Sequence, residues 1–287
     1  MFEFLGGEFS ILHAYKVLQT KTINMNQPTQ KEMHPEGQVS LRVEEAVMTI
    51  EFGHPRHNSL PSHLLQDLVT ALDQASNDPK VKVVILSSSG DRTFCAGASF
   101  QELVSIENQA QGLEFFSGFA RVINAMRRCT KFIIVQVQGK AVGGGVGLIA
   151  AADYALAMDT ASVKLSELTI GIGPFVIAPA VERKIGLAAL SELSIDAAEF
   201  RSAHWAEQKG LYAQVFTQRQ DLDQAVAELS NRLSEYSSQA MSQWKSVLWS
   251  GTEDWDELLA DRASISGRLV LSPQTKAQLV SYQKKNN

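Results

Sequence analysis

The sequence has few cysteines, no excess of basic residues and no long hydrophobic run. Its two cysteines, Cys95 and Cys129, exclude a disulfide scaffold and a zinc site built from several thiolates, and they indicate a reducing compartment. Lys and Arg number 26 against 31 Asp and Glu, so no positive surplus exists to neutralise nucleic-acid phosphates. No stretch approaches the ~18 apolar residues of a membrane-spanning helix. We therefore expect no nucleic-acid partner, no membrane partner and a cytoplasmic location.

The sequence does contain many hydrophobic residues. Of its 287 residues, 45% are hydrophobic, which is enough to bury a sizeable interior. Residues 1–24 lack the basic start and small-residue cleavage site of a secretory signal, and a polar run with two prolines follows from Met25. We predict that residues 1–38 are a poorly ordered, appended arm. Alternatively, translation starts at Met25, and the residues before it were assigned to the protein in error.

The pattern after Val39 predicts strands alternating with helices, followed by a helical tail. Period-two alternation marks a hairpin, and apolar β-branched runs mark strands buried on both faces. We expect an α/β fold with a core at 39–220 and a helical C-terminal region at 221–287. The predicted strands are Val39–Arg42, Val47–Phe52, Val81–Leu86, Phe132–Val137 and Tyr154–Met158, and the predicted helices are one from Pro61, a single helix over Phe100–Met126, a short one from Leu148, and several from Ala178 onward.

A glycine-rich loop, predicted over Gly139–Gly147, allows three interpretations. Gly145–Ala150 fits the dinucleotide-binding pattern G-x-G-x-x-A, but the expected strand–turn–helix spacing is poor, and a phosphate-binding P-loop lacks its required residues. The glycines could instead serve only close backbone packing. The third interpretation is an anion site, because free N–H groups at a helix start can stabilise an oxyanion. A second donor segment at Ala96–Ala98 favours this third interpretation.

Several short motifs, taken in order, resemble the enoyl-CoA hydratase/isomerase family, also called the crotonase superfamily. The resemblance covers Val39 to about Lys285 and its pattern is most similar to the methylglutaconyl-CoA hydratase-like branch. The motifs are Asn58-Ser59-Leu60, Phe94-Cys95-Ala96-Gly97-Ala98, Gly143-Gly144-Gly145, Ala152-Asp153, Leu165-Ser166-Glu167-Leu168 through Gly171 to Pro174, and Ala206-Glu207 through Gly210-Leu211.

The resemblance implies a crotonase-type spiral of ββα turns followed by a helical C-terminal trimerisation region. It implies a coenzyme A thioester as substrate, no separate cofactor or metal, and a homotrimer or a dimer of trimers. By position, the N–H groups of Ala98 and Gly144 would hold the thioester carbonyl. The remaining substrate-binding or coenzyme A-binding positions would be Arg56, Ala96, Gly97, Gly143, Pro174 and Lys284.

One catalytic position departs from the family pattern. Hydratases of the family use two glutamates; Glu167 matches the second, whereas Gly147 stands where the first is expected. Syn hydration needs both activation of water and delivery of a proton to the α-carbon, so one carboxylate would have to serve both steps. The apolar neighbours of Glu167 indicate partial burial, which would raise its pKa and suit a proton carrier near neutral pH.

Four chemical outcomes remain open from the sequence. The protein could be a hydratase with a single glutamate, an isomerase that uses Glu167 as its only base, or an enzyme that borrows a base such as bicarbonate. A second carboxylate could instead come from Glu102, Glu107 or Glu114, although we favour a solvated helix face for these three. A non-catalytic acyl-CoA-binding scaffold is the alternative from another functional class.

Overall fold

The computed structural model describes residues 34–286, with side chains to residue 284, and the predicted N-terminal arm lies almost entirely outside this range. A larger sheet has the strand order β1-β2-β3-β5-β7-β10; β1 is antiparallel to β2, and the following pairs are parallel. The strands of this sheet are β1 (Gln38–Glu44), β2 (Val47–Gly53), β3 (Val83–Ser88), β5 (Phe132–Val137), β7 (Tyr154–Met158) and β10 (Gln214–Phe216).

A smaller sheet has the order β4-β6-β8-β9 and was not predicted from the sequence. Its strands are too short for period-two alternation to be recognised. The second of them, β6, runs through the segment that we had assigned to a glycine loop. The strands are β4 (Thr93–Cys95), β6 (Lys140–Val142), β8 (Ser162–Lys164) and β9 (Arg201–Ser202).

The chain winds as a spiral because consecutive strands enter different sheets. Each of the pairs β3/β4, β5/β6 and β7/β8 gives its first strand to the larger sheet and its second to the smaller sheet, and a helix or helical turn follows. The predicted ββα spiral is therefore present. The helices of the spiral are α1 (Ser62–Asn77), α2 (Phe100–Val104), α3 (Gln109–Arg128), α4 (Gly144–Ala151), the 3-10 turn η1 (Glu167–Ile170), α5 (Ala178–Ile195) and α6 (Ala203–Gln208).

The prediction of one helix over Phe100–Met126 was wrong, because α2 ends at Val104 and the capping residue Asn108 starts a new helix. Ser99 accepts a hydrogen bond from the N–H of Glu102 and starts α2, while Asn108 accepts from the N–H of Gln111 and starts α3. The predicted helical tail is present. Its helices are α7 (Arg219–Ser234), α8 (Ser238–Leu248), α9 (Trp255–Leu269) and α10 (Pro273–Asn286).

The tail is packed into the same compact unit as the spiral. Residues 34–286 form one compact unit, and the boundary that we expected at residue 220 falls inside α7. A buried ion pair helps to attach the tail: Lys245 Nζ of α8 lies 2.8 Å from Asp153 Oδ2, and Asp153 Oδ1 accepts from Trp249 Nε1. None of the helices within the described range has the length and apolar character needed to cross a bilayer.

Candidate active site

The candidate site lies where three neighbouring strands of the smaller sheet end. The strands β4, β6 and β8 are adjacent and parallel, so their carboxyl ends meet at one edge. Ala96–Ala98 follows β4, Gly143 and Gly144 follow β6, and Glu167 is the third residue after β8. Distant parts of the sequence therefore converge here, as they do at the carboxyl edges of other parallel sheets.

Two backbone N–H groups are free to bind a ligand at this edge. Within the described residues, neither the N–H of Ala98 nor that of Gly144 donates a hydrogen bond to the chain. Pairing of Leu60 with the segment around Ala98 fixes the first group, since Leu60 N–H donates to Gly97 O at 2.8 Å. The second group belongs to the first turn of α4, where the helix dipole is positive.

The two segments that carry these N–H groups lie next to each other. A β-carbon built at Gly97 would lie 3.7 Å from the nitrogen of Gly144, so the two segments run side by side. Gly143, which precedes α4, has φ +54°, a conformation that favours glycine. The anion-site interpretation of these glycines thus agrees with the geometry at Gly143 and Gly144.

The carboxylate of Glu167 faces this pair of segments. A β-carbon at Gly143 would lie 2.8 Å from Glu167 Oε1. Glu167 Oε2 is shielded from solvent and has no hydrogen-bond partner among the described residues. Burial raises the pKa of Glu167 to about 7, and a hydrogen bond from its own backbone opposes this rise. The group can therefore both accept and release a proton near neutral pH.

These groups open into a cavity of about 740 Å³ whose walls are largely apolar. Within the described chain, Glu167 is the one carboxylate that lines it. The candidate carboxylates Glu102 and Glu114 line a separate surface depression, where Glu102 accepts from Ser62, and Glu114 pairs with Arg121. The apolar wall includes Leu103, Phe115, Phe116, Phe119, Phe175 and Ile177.

Comparison with known proteins agrees with this architecture. The sequence profile of the family described as enoyl-CoA hydratase/isomerase matches residues 42–278, which is most of the chain. This chain belongs to the enoyl-CoA hydratase/isomerase family. It is an enzyme of the hydratase/isomerase type, and the crotonase fold expected from the sequence is confirmed.

Individual relatives of the family differ in their reactions. The chain is 32% identical over 180 residues to the mitochondrial methylglutaconyl-CoA hydratase of Rattus norvegicus, covering 62% of this chain and 56% of that protein. It is 27% identical over 221 residues to the peroxisomal Delta(3,5)-Delta(2,4)-dienoyl-CoA isomerase of Arabidopsis thaliana, covering 71% and 78%. A crystal structure of an enoyl-CoA hydratase from Mycobacterium avium superposes with a TM-score of 0.74 at 26% identity, covering 86% of this chain and 96% of that one.

In this hydratase/isomerase, the side chain of another residue occupies the space next to Gly147, where hydratases of the family have a glutamate. Gly147 is buried inside α4 and does not line the cavity, so the structure does not place this predicted catalytic position at the site. A β-carbon there would lie 2.5 Å from Cγ2 of Ile177, which is itself 3% exposed and lines the cavity. An apolar side chain therefore occupies the space that a glutamate at 147 would need.

The dinucleotide interpretation of the glycine pattern does not fit the fold. The helix α4 starts at Gly144 rather than at the predicted Leu148, so Gly145 and Gly147 lie inside it rather than in a phosphate-binding turn. A β-carbon at Gly145 would lie 2.8 Å from Cβ of Cys95, which shows that this glycine permits close packing of α4 on β4.

The other predicted binding positions divide into two groups. Residues that line the cavity are Arg56, Ala96, Gly97, Ala98, Gly143, Gly144 and Pro174. Lys284 is exposed and does not line it, although its neighbours Tyr282 and Gln283 do. Within the described residues, no cluster of three His, Cys, Asp or Glu side chains could hold a metal ion.

Sequence reasoning missed several residues of the site. His57, to which no role was assigned from the sequence, lines the cavity and has φ +53°, which is unusual for a residue with a side chain. The wall residues Phe119 and Ile177 carry no local sequence signal, because their role depends on contacts with Gly144 and Gly147. Only the packed fold brings these pairs together.

Proposed function

We propose that this enzyme binds an acyl-CoA thioester and stabilises its enolate. The N–H groups of Ala98 and Gly144 form an oxyanion hole for the thioester oxygen, and Glu167 transfers the proton. The observation that carries this proposal is a solvent-shielded carboxylate with a raised pKa beside two free backbone donors. Such preorganised donors act on the charge that develops in the transition state.

Hydration of a 2-enoyl-CoA is the reaction that we place first. Glu167, as the carboxylate, takes a proton from water while the hydroxide oxygen forms a bond to the β-carbon of the substrate. The π electrons of the carbon–carbon double bond form a new double bond between the α-carbon and the carbonyl carbon, and the carbonyl π electrons move to the thioester oxygen, which the two N–H groups hold. The protonated Glu167 then delivers its proton to the α-carbon, so one carboxylate serves both steps. Similarity to relatives named as hydratases supports this reaction.

Double-bond isomerisation is the second candidate, and the packing of Ile177 over Gly147 favours it. Because this apolar contact replaces a second carboxylate, a water molecule in the cavity has fewer hydrogen-bonding groups to hold it. In isomerisation, Glu167 removes a proton from the α-carbon and returns it to the γ-carbon, so no water is needed. The similarity to a dienoyl-CoA isomerase agrees with this alternative.

The family resemblance extends the proposal to the rest of the substrate and to the assembly. Arg56 and Lys284 would contact phosphates of coenzyme A, which is part of the substrate rather than a separate cofactor. The helical C-terminal region would assemble a homotrimer or a dimer of trimers, in the cytoplasm. Sedimentation analysis of the full chain would test the assembly.

A panel of acyl-CoA substrates separates the two reactions. We would incubate the protein with crotonyl-, 3-methylcrotonyl-, 3-methylglutaconyl- and trans-3-hexenoyl-CoA, and follow absorbance and mass. A gain of one water molecule indicates hydration, whereas new conjugated absorbance at unchanged mass indicates isomerisation. Glu167→Gln should abolish either reaction without unfolding, and Glu107→Gln, an exposed carboxylate outside the cavity, is the matched control. Activity that survives in Glu167→Gln, or no turnover of any substrate, would overturn the proposal.

A further inference from the structure

The last helix of the chain touches the turn that carries Glu167. Thr275 of α10 is 1% exposed, and its hydroxyl donates a hydrogen bond to Gly171 O at 2.9 Å. The Ser272 hydroxyl in turn donates to Thr275 Oγ1 at 2.9 Å. The Thr275 hydroxyl thus accepts one hydrogen bond from Ser272 and donates one to Gly171 O, and the two bonds together fix the direction in which it points.

Gly171 is tied directly to the backbone of Glu167. It ends the 3-10 turn with φ +82°, and its N–H donates to Leu168 O. The next N–H, that of Ile172, donates to Glu167 O at 3.1 Å. A β-carbon at Gly171 would lie 2.5 Å from Thr275 Oγ1, so the turn and the helix are in contact with no space between them.

We propose that Thr275 is a positioning residue, which holds the turn of Glu167 so that its carboxylate faces the N–H groups of Ala98 and Gly144. This inference rests on the proposed function, in which Glu167 carries the proton. Thr275 does not line the cavity and acts through Gly171. If the hydrogen bond is lost, the turn can shift, and water can reach the shielded Glu167 Oε2. A displacement of this kind affects the chemical step more than substrate binding.

Three variants of α10 test the role of Thr275. Thr275→Val keeps the shape but removes the hydroxyl, Thr275→Ser keeps the hydroxyl, and Gln274→Ala changes an exposed neighbour. We expect kcat of Thr275→Val to fall about tenfold with KM within about twofold, since small misplacements of a catalytic group are costly. Thr275→Ser and Gln274→Ala should remain within about twofold of wild type.

The pH dependence supplies a readout that a purely structural role would not change. With water admitted to Glu167, we expect its pKa to fall from about 7 towards its ordinary value in Thr275→Val. The midpoint of the acid limb of kcat/KM should fall with it. The other titratable side chains that line the cavity are Arg56, His57 and Tyr282, and the Thr275 variants leave them in place.

A direct titration separates failure of this inference from failure of the proposed function. Carbon-13 NMR of labelled glutamate carboxyls, with the Glu167 signal assigned by its loss in Glu167→Gln, reports the pKa even without a substrate. A lowered pKa in folded Thr275→Val, restored in Thr275→Ser, supports the inference. An unchanged pKa and kcat in Thr275→Val would overturn it, while an active Glu167→Gln would overturn the proposed function instead.

Discussion

Restoring the missing carboxylate at position 147 should require removal of Ile177. In the folded chain, a β-carbon at Gly147 would lie 2.5 Å from Cγ2 and 2.8 Å from Cβ of Ile177. We therefore predict that Gly147→Glu alone is destabilising, and that Gly147→Glu combined with Ile177→Ala is tolerated and gains hydration activity. The second change opens the space that the new side chain needs.

The expected changes in the free energy of unfolding follow from the packing of these two residues. Gly147→Glu overpacks a buried site, which costs about 1–3 kcal/mol. Ile177→Ala removes a side chain that is 3% exposed, which costs about 2–5 kcal/mol. Because the two residues are in contact, the double variant should be more stable than the sum of the single variants by about 0.5–3 kcal/mol. A second acid–base group should raise kcat/KM for hydration at least about tenfold over Ile177→Ala.

The assay combines thermal denaturation with mass spectrometry of hydrated crotonyl-CoA. For a unit of this size, about 2 kcal/mol corresponds to a fall in Tm of about 4–8 °C. The matched control is Gly147→Gln with Ile177→Ala, which has nearly the same shape and no charge, so a gain confined to the glutamate variant reports acid–base chemistry. Wild-type stability of Gly147→Glu, or strict additivity in the double variant, would refute the argument from Ile177.

Three further predictions concern charge. The kcat/KM profile should rise with pH with a midpoint near 7, because Glu167 must be ionised to accept a proton and its pKa is raised to about 7; a midpoint near the ordinary value of a glutamate would contradict this. The raised pKa also means that Glu167 favours the folded state less as pH increases from about 4.5 to about 7, so Glu167→Gln should raise Tm more at pH 8 than at pH 4. A Tm difference independent of pH would show that Glu167 is not desolvated. Lys245→Met should cost about 3–5 kcal/mol, because it removes the direct ion-pair partner of buried Asp153, whereas exposed Lys209→Met should change the free energy of unfolding little. Denaturant titration measures both.

The sequence by itself determined much of the larger sheet, and its resemblance to the family indicated the main residues of the candidate site. The bounds of β5 and β7 match the predicted strands. The β5 segment is an apolar, β-branched run, which is a local signal of a buried strand, whereas β7 is a short apolar run without β-branched residues. Family resemblance indicated Ala98, Gly144 and Glu167, which line the same cavity in the structure. These residues follow short strands or begin helical turns, and such positions can be recognised from the local sequence.

Only the tertiary structure decided which side chains surround those residues. The separation of α2 from α3 depends on the Asn108 cap, and the loss of Gly147 from the site depends on Ile177, which lies 30 positions further along the printed sequence. The contact of Thr275 with Gly171 spans 104 positions. Contacts between residues so far apart arise when helices pack against the sheet edge. Neither the hydrophobic periodicity nor the residue spacing of the sequence indicates which residues will be in contact there.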